Sequence, residues 1–105
     1  VKKTLGLISL CRRAGKLCTG MEAVLEKAER GEVALILLAE DLSPRSAERL
    51  RNRLPEETPV RSLPCTMQTL SEVTGKAAGI IAVCDENFAC GIRATLSDEE
   101  EDLDR

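Results

Sequence analysis

Three basic residues, Arg12, Arg13 and Lys16, precede Gly20 and the start of a predicted second helix. The first turn of a helix leaves backbone N–H groups unpaired and carries a partial positive charge, so it attracts anions such as phosphate. Basic side chains beside such a helix start favour the docking of a nucleic-acid backbone. The alternative is an ordinary connection between two helices whose charges are solvated, and this stretch alone does not choose between them.

The charge distribution says more about partners than the net charge of −3 does. Residues 1–94 carry 14 Lys and Arg against 12 Asp and Glu, whereas residues 95–105 carry six acids against Arg105. The first 21 residues contain five basic groups and no acid. A slightly basic body therefore precedes an acidic segment, which favours an anionic partner for the body. A flexible acidic segment could also fold back over basic residues and compete with phosphate, or it could serve only as a solubilising tail without contact to the body.

Several classes of site are absent from the sequence. Without His, no Ser-His or Cys-His pair can activate a nucleophile, and mixed Cys/His metal sites are excluded. The five cysteines cannot all pair, and none lies in a CxxC motif, which indicates a reducing compartment. Glu40 and Asp41 follow an apolar run. They are better explained as acids that interact with the positive N-terminal end of the following helix than as catalytic groups. We expect no enzyme, no cofactor and no metal or small-molecule site.

The longest apolar run, Val33–Ala39, is far too short to span a bilayer. We therefore expect a cytoplasmic protein without a membrane partner, and we expect it to be a monomer. Its 105 residues with 43% hydrophobic content suffice for one compact domain.

Helical and extended patterns alternate along the chain. The helices are predicted at residues 3–14, 20–31, 44–54, 66–74 and from Asp85 through Ile92. The strands are predicted at residues 16–18, 33–39, 60–63 and 79–84. This α-β-α-β-α-β-α-β-α order predicts an α/β fold, a three-layer α/β/α sandwich around a small, largely parallel or mixed sheet. Residues 1–96 form a single domain, and we expect the acidic residues 97–105 to be disordered.

Two local signals define the predicted start of the second helix. Thr19 is followed three residues later by Glu22, which is the spacing of a capping box. Glu22 would then accept a hydrogen bond at the helix start, where RNA would otherwise bind. Glu26 is also spaced to pair with Arg30 one turn later.

Five segments carry a family resemblance: RRAGKLCTG, AERG, LILLAEDLSP, the GK before an apolar strand, and IIAVCDENFA. Over roughly residues 4–92 the chain resembles the ribosomal protein L7Ae family, and more closely its short bacterial RNA-binding-type members of the translation apparatus. The resemblance implies an α/β/α sandwich, no catalysis, and binding to structured RNA, ribosomal or typically a kink-turn. In such relatives RNA meets the start of the second helix and the loop before the last strand, which correspond here to residues 16–22 and 75–79.

The basic stretch and the resemblance together predict the RNA-binding residues. These are Arg12, Arg13, Lys16, Thr19, Gly20, Met21, Glu22, Gly75, Lys76 and Ala77. Phe88 is the only aromatic residue, so an aromatic platform for stacking bases is excluded. Recognition would then depend on phosphates, on RNA shape and on backbone contacts. Arg45, Arg49 and Arg53 recur every four residues on the third helix, as a solvated face or as a further basic surface.

The resemblance is weakest where RNA specificity should reside. Kink-turn binders of the family read G-T-N-E-x-x-K at the second helix. The chain keeps Gly20 but has Met21, Glu22 and Ala23 after it, and Glu26 at the position of the lysine. An acid in place of a cation is unfavourable beside phosphates. The leading hypothesis is an RNA-binding protein, and the alternative is a protein-interaction module of the same fold that has lost kink-turn binding.

Overall fold

Five helices and four strands alternate along the part of the chain that this computed structural model describes, residues 2–103, with side chains described for residues 2–99. The helices are α1 (Lys2–Arg13), α2 (Met21–Glu29), α3 (Pro44–Arg53), α4 (Met67–Thr74) and α5 (Glu86–Leu103). The strands are β1 (Leu17–Thr19), β2 (Leu35–Ala39), β3 (Val60–Leu63) and β4 (Ile80–Val83). The predicted order of elements is confirmed, and apart from the end of α5 the bounds agree within two residues.

The four strands form one mixed sheet in the order β1-β4-β2-β3. Strands β2 and β3 are parallel, whereas β4 runs antiparallel to both β1 and β2. Two of the three pairings are therefore antiparallel, so the sheet is mixed and not largely parallel. Every residue of the two central strands is buried. Burial on both faces explains why β2 and β4 are continuously apolar in the sequence.

The sheet separates two helical layers, which confirms the three-layer sandwich. Successive side chains of a strand point to opposite faces, so the residues of β2 divide between two cores. Leu35 and Leu37 belong to the core under α1, α4 and α5. Ile36 and Leu38 belong to the core under α2 and α3.

The prediction of disorder from residue 97 onward is wrong for the described residues, because α5 continues to Leu103. Leu96 is buried, and one turn later Glu99 reaches the start of α1. Its Oε1 accepts hydrogen bonds from the backbone N–H of Thr4 at 3.0 Å and from the Thr4 hydroxyl at 2.8 Å. The composition of this segment shows its acids, but it does not predict this contact, because the contact joins residues that are distant in the sequence. Residues 104 and 105 lie outside the described residues.

Candidate nucleic-acid interface

A cleft of about 260 Å³ lies between the start of α2 and the end of α4. Arg12, Thr19, Ala23, Thr74 and Lys76 are among the residues that line it. The sheet creates this neighbourhood, because antiparallel pairing places the end of β1 beside the beginning of β4. The pairing continues past the strands, since the N–H of Gly20 donates to the carbonyl of Ile80 at 2.9 Å. The start of α2 and the α4–β4 loop are thereby held side by side.

The first turn of α2 has no side-chain cap. Gly20 is the N-cap residue with φ 91°, a left-handed conformation that disfavours side chains, and no side chain among the described residues caps the first turn. The predicted capping box is therefore wrong. Thr19 belongs to β1, and Glu22 is paired with Arg53 of α3 at 3.1 Å. The first N–H groups of α2 remain available to an anion beside Thr19 and Ala23.

Arg12, in the last turn of α1, contacts the end of α4. Its Nη1 donates to the carbonyl of Val73 at 3.2 Å. Its guanidinium lies against Gly75, where an added Cβ would come within 2.6 Å of Nη2. Gly75 ends α4 in the left-handed conformation with φ 79°, so both its backbone and the close approach of Arg12 favour glycine. The cation is thus fixed at the loop that carries Lys76.

A buried hydroxyl supports the other wall of the cleft. Thr74 is 4% exposed, and its Oγ1 donates to the carbonyl of Lys76 at 3.1 Å. This bond holds the turn that presents the exposed Lys76 side chain. Arg12 and Lys76 therefore place two cations beside the uncapped start of α2, and the described residues lining the cleft include no acid.

The other two basic residues of the predicted cluster do not converge on Gly20. Arg13 lines a second cleft of about 400 Å³ between α1 and α4, which Arg12 and Glu72 also line. Lys16 is exposed in the loop after α1, and its carbonyl accepts the N–H of Cys84 at 2.8 Å. Residues on successive positions of a helix point in different directions, which explains why Arg12 lines both clefts and Arg13 only the second.

The remaining predicted site residues lie beside the cleft in different ways. Met21 is half-buried and its side chain packs against the core under α2 and α3. Glu22 is exposed, with its carboxylate paired to Arg53. Ala77 is exposed in the α4–β4 loop next to Lys76. The cleft is not lined by Met21, Glu22 or Ala77.

The sequence did not predict several of the contacts around the site. Thr74 comes to the cleft, and the carbonyl of Val73 to Arg12, only through tertiary packing, and no local pattern indicates either. The predicted pair between Glu26 and Arg30 is confirmed at 2.8 Å. Asp41 caps α4 and not the helix that follows it, since its Oδ1 accepts the N–H of Met67 at 2.8 Å.

The thiols near the cleft are held in the neutral form. Burial raises the pKa of Cys11 to about 11, with smaller contributions from Cys84 and Asp85. Burial also raises the pKa of Cys18, in the cleft wall, and of Cys84. The residues described contain no group of side chains arranged to hold a metal ion. None of the helices, as far as they are described, is both long and apolar enough to cross a membrane.

Comparison with known proteins places the chain in a family. Residues 2–92 match the model of the ribosomal protein L7Ae/L30e/S12e/Gadd45 family. A relative from Enterococcus faecium, described as RNA-binding protein YlxQ, is 25% identical over 92 residues, covering 84% of this chain and 85% of the relative.

Two solved structures are similar to the chain. A protein of unknown function from Bacillus halodurans C is 30% identical, with a TM-score of 0.79, over 88% of this chain and 94% of that one. A 15.5kD RNA binding protein from Giardia lamblia shares the fold at 13% identity, with a TM-score of 0.73, over 95% of this chain and 87% of that one. The match over residues 2–92 shows that the chain belongs to the ribosomal protein L7Ae/L30e/S12e/Gadd45 family.

Proposed function

We propose that this protein binds structured RNA at the cleft between the start of α2 and the α4–β4 loop. The observation that carries the proposal is the meeting of Arg12, Lys76 and the uncapped first turn of α2 at one cleft. These are three independent donors to phosphate, from α1, from a loop and from a helix terminus. The E. faecium relative is named an RNA-binding protein, which supports the same ligand class. We also propose that the protein acts as a noncatalytic monomer in the cytoplasm.

We infer further that recognition differs from the G-T-N-E-x-x-K pattern of kink-turn binders. Met21 packs into the core, Glu22 is paired with Arg53, and Glu26 is paired with Arg30. None of these side chains supplies a cation at the start of α2. Affinity must then come from the cleft cations, so it should be strongly salt-dependent.

The experiment is a salt titration of binding to a hairpin RNA with one asymmetric internal loop, measured by fluorescence anisotropy in 50–300 mM KCl. The test variant is Arg12→Ala with Lys76→Ala. The matched control is Lys2→Ala with Lys3→Ala, which removes the same charge from exposed residues at the opposite end of α1. Removal of one cation that binds a duplex phosphate lowers the log–log slope by about 0.9, so we expect a decrease of about 1.8 for the test variant and little for the control.

Circular-dichroism melting of each variant checks that the fold is retained, because Arg12 also contacts α4. Equal slopes for the test and control variants would contradict the proposed site. A wild-type chain with no salt-dependent affinity for any structured RNA would favour the alternative function, a protein-interaction module of the same fold.

A further inference from the structure

A second basic surface lies on α3, outside the cleft. The helix PRSAERLRNR contains four arginines and no lysine in ten residues. Its buried side is marked by Leu50, which is fully buried, with Ala47 and Leu54 packed against the same core. At 100° per residue Arg45 lies almost opposite this side, and Arg49 lies about 40° from Arg45. We call Arg45 and Arg49 the α3 arginine face.

The cations of this face have no partner within the chain as described. Neither Arg45 nor Arg49 makes a hydrogen bond or an ion pair with any described residue, although Glu48 lies between them in the sequence. Both side chains belong to exposed residues. They are available to an external anion.

Their placement works against the stability of the helix itself. Arg45 lies in the first turn, where the helix dipole disfavours a cation, and that turn contains no acid. Arg45, Arg49 and Arg53 also form two like-charge pairs at i,i+4 spacing, which repel one another. These charge interactions are unfavourable in the isolated protein. Binding of an anion to the α3 arginine face would offset them.

The side chains of the α3 arginine face are suited to bind a polyanionic backbone. Arginine presents a planar fork that binds phosphate oxygens in bidentate geometry. The four-residue spacing of Arg45 and Arg49 separates them by about 6 Å along the axis. Apart from Pro44, the exposed residues of α3 have polar or charged side chains, so the face can neither stack bases nor insert into a lipid surface.

The pair between Arg53 and Glu22 connects this face to the cleft region. It joins the last turn of α3 to the first turn of α2 at 3.1 Å. From Arg53 the helix extends eight residues to Arg45, about 12 Å, which is the rise of roughly four base pairs. An RNA held at the start of α2 can therefore continue along α3.

We propose that the α3 arginine face is a second phosphate-binding surface, which holds a duplex flank of the RNA bound at the cleft. This inference rests on the proposed function, and it adds that the ligand includes a regular helix beside the structured element. The surface reads the backbone alone, so it adds affinity without sequence preference.

The test uses two hairpin RNAs with the same asymmetric internal loop, one with a single closing base pair outside the loop and one with an outer duplex of twelve base pairs. Arg45→Ala with Arg49→Ala is the test variant. Arg51→Ala with Lys3→Ala is the matched control, because Arg51 lies on the opposite flank of α3 and the same charge is removed. Affinities are measured at 100 and 300 mM KCl.

We expect the test variant to lower the salt slope for the long RNA by about 1.8 and to leave the short RNA unchanged. Its thermal midpoint should equal or exceed that of the wild type, because the repulsion is removed. An unchanged slope for the long RNA, or an equal change in the control, would overturn the second surface. The cleft is tested separately by Arg12→Ala with Lys76→Ala on the short RNA, so the two proposals can fail independently.

Discussion

The contact of Glu99 with Thr4 makes the acidic end of α5 part of the fold. The N–H of Thr4 is one of the first four of α1, which have no partner within their own helix. Glu99 supplies that partner at 3.0 Å and also accepts the Thr4 hydroxyl at 2.8 Å. Thr4 is fully buried in the folded protein, and Glu99 is the acceptor of its N–H there. We therefore predict that Glu99→Ala destabilises the protein.

The magnitude follows from what the substitution leaves behind. The Thr4 hydroxyl keeps its bond to Thr95 at 2.8 Å, but its N–H loses its acceptor, which costs about 1–3 kcal/mol. Loss of a carboxylate at a helix N-terminus adds about 0.3–1 kcal/mol. We expect a decrease of about 2 kcal/mol in the free energy of unfolding, or a fall in Tm of roughly 10 °C for a domain of this size. Glu99→Gln keeps an acceptor and should lose about half as much.

Urea unfolding of the full chain, followed by circular dichroism, measures this effect. Asp98→Ala is the matched control, since it removes the neighbouring acid from an exposed position and should change stability by less than about 0.5 kcal/mol. A double-mutant cycle with Thr4→Val then isolates the bond to the hydroxyl, for which we expect a coupling above about 0.5 kcal/mol. Equal stability of the Glu99→Ala and Asp98→Ala variants would refute the assigned contact.

Two further predictions concern the start of α2 and the buried thiol. Replacing Glu22, Ala23 and Glu26 by Asn, Glu and Lys restores the family pattern, and should raise the affinity for a kink-turn RNA while retaining the fold. A wild-type affinity equal to that of the variant would show that these positions do not limit recognition. The raised pKa of Cys11 favours the neutral thiol in the folded state, so stability should fall as pH rises from 9 to 11, by up to about 3 kcal/mol. Urea unfolding under reducing conditions should show a weaker pH dependence for Cys11→Ala, and identical pH profiles would contradict the assignment.

The sequence predicts the elements of this fold well because their signals are local. Ser43 accepts the N–H of Ser46 at 3.1 Å before Pro44, and Asp85 accepts the N–H of Phe88 at 3.0 Å, as expected for helix starts. The capping box at Thr19 fails because β-pairing holds that residue in β1. Tertiary structure here overrides a pattern that is adequate for an isolated helix.

The candidate site is less predictable because it depends on contacts between distant residues. Arg12 and Arg13 are neighbouring residues of the same type. Only Arg12, however, reaches the carbonyl of Val73 and the cleft beside the start of α2. That choice is made by the packing of α1 on α4, which no property of the RRAGK segment reveals. Thr74 likewise becomes a support for Lys76 only because it is buried.

The two ends of α1 have opposite electrostatic roles, which bears on the hypothesis that the acidic segment competes with RNA. Glu99 contacts Thr4 in the first turn, whereas Arg12 contributes to the cleft from the last turn. Eight residues of helix separate Thr4 from Arg12, or about 12 Å, which exceeds the Debye length of about 8 Å at physiological salt. At that separation the attraction of the Glu99 carboxylate for the cleft cations is attenuated, and its contact with Thr4 places its main effect on the stability of α1. An acid that stabilises one end of α1 and a cation proposed to bind phosphate at the other can thus occur in one small domain with little effect on each other.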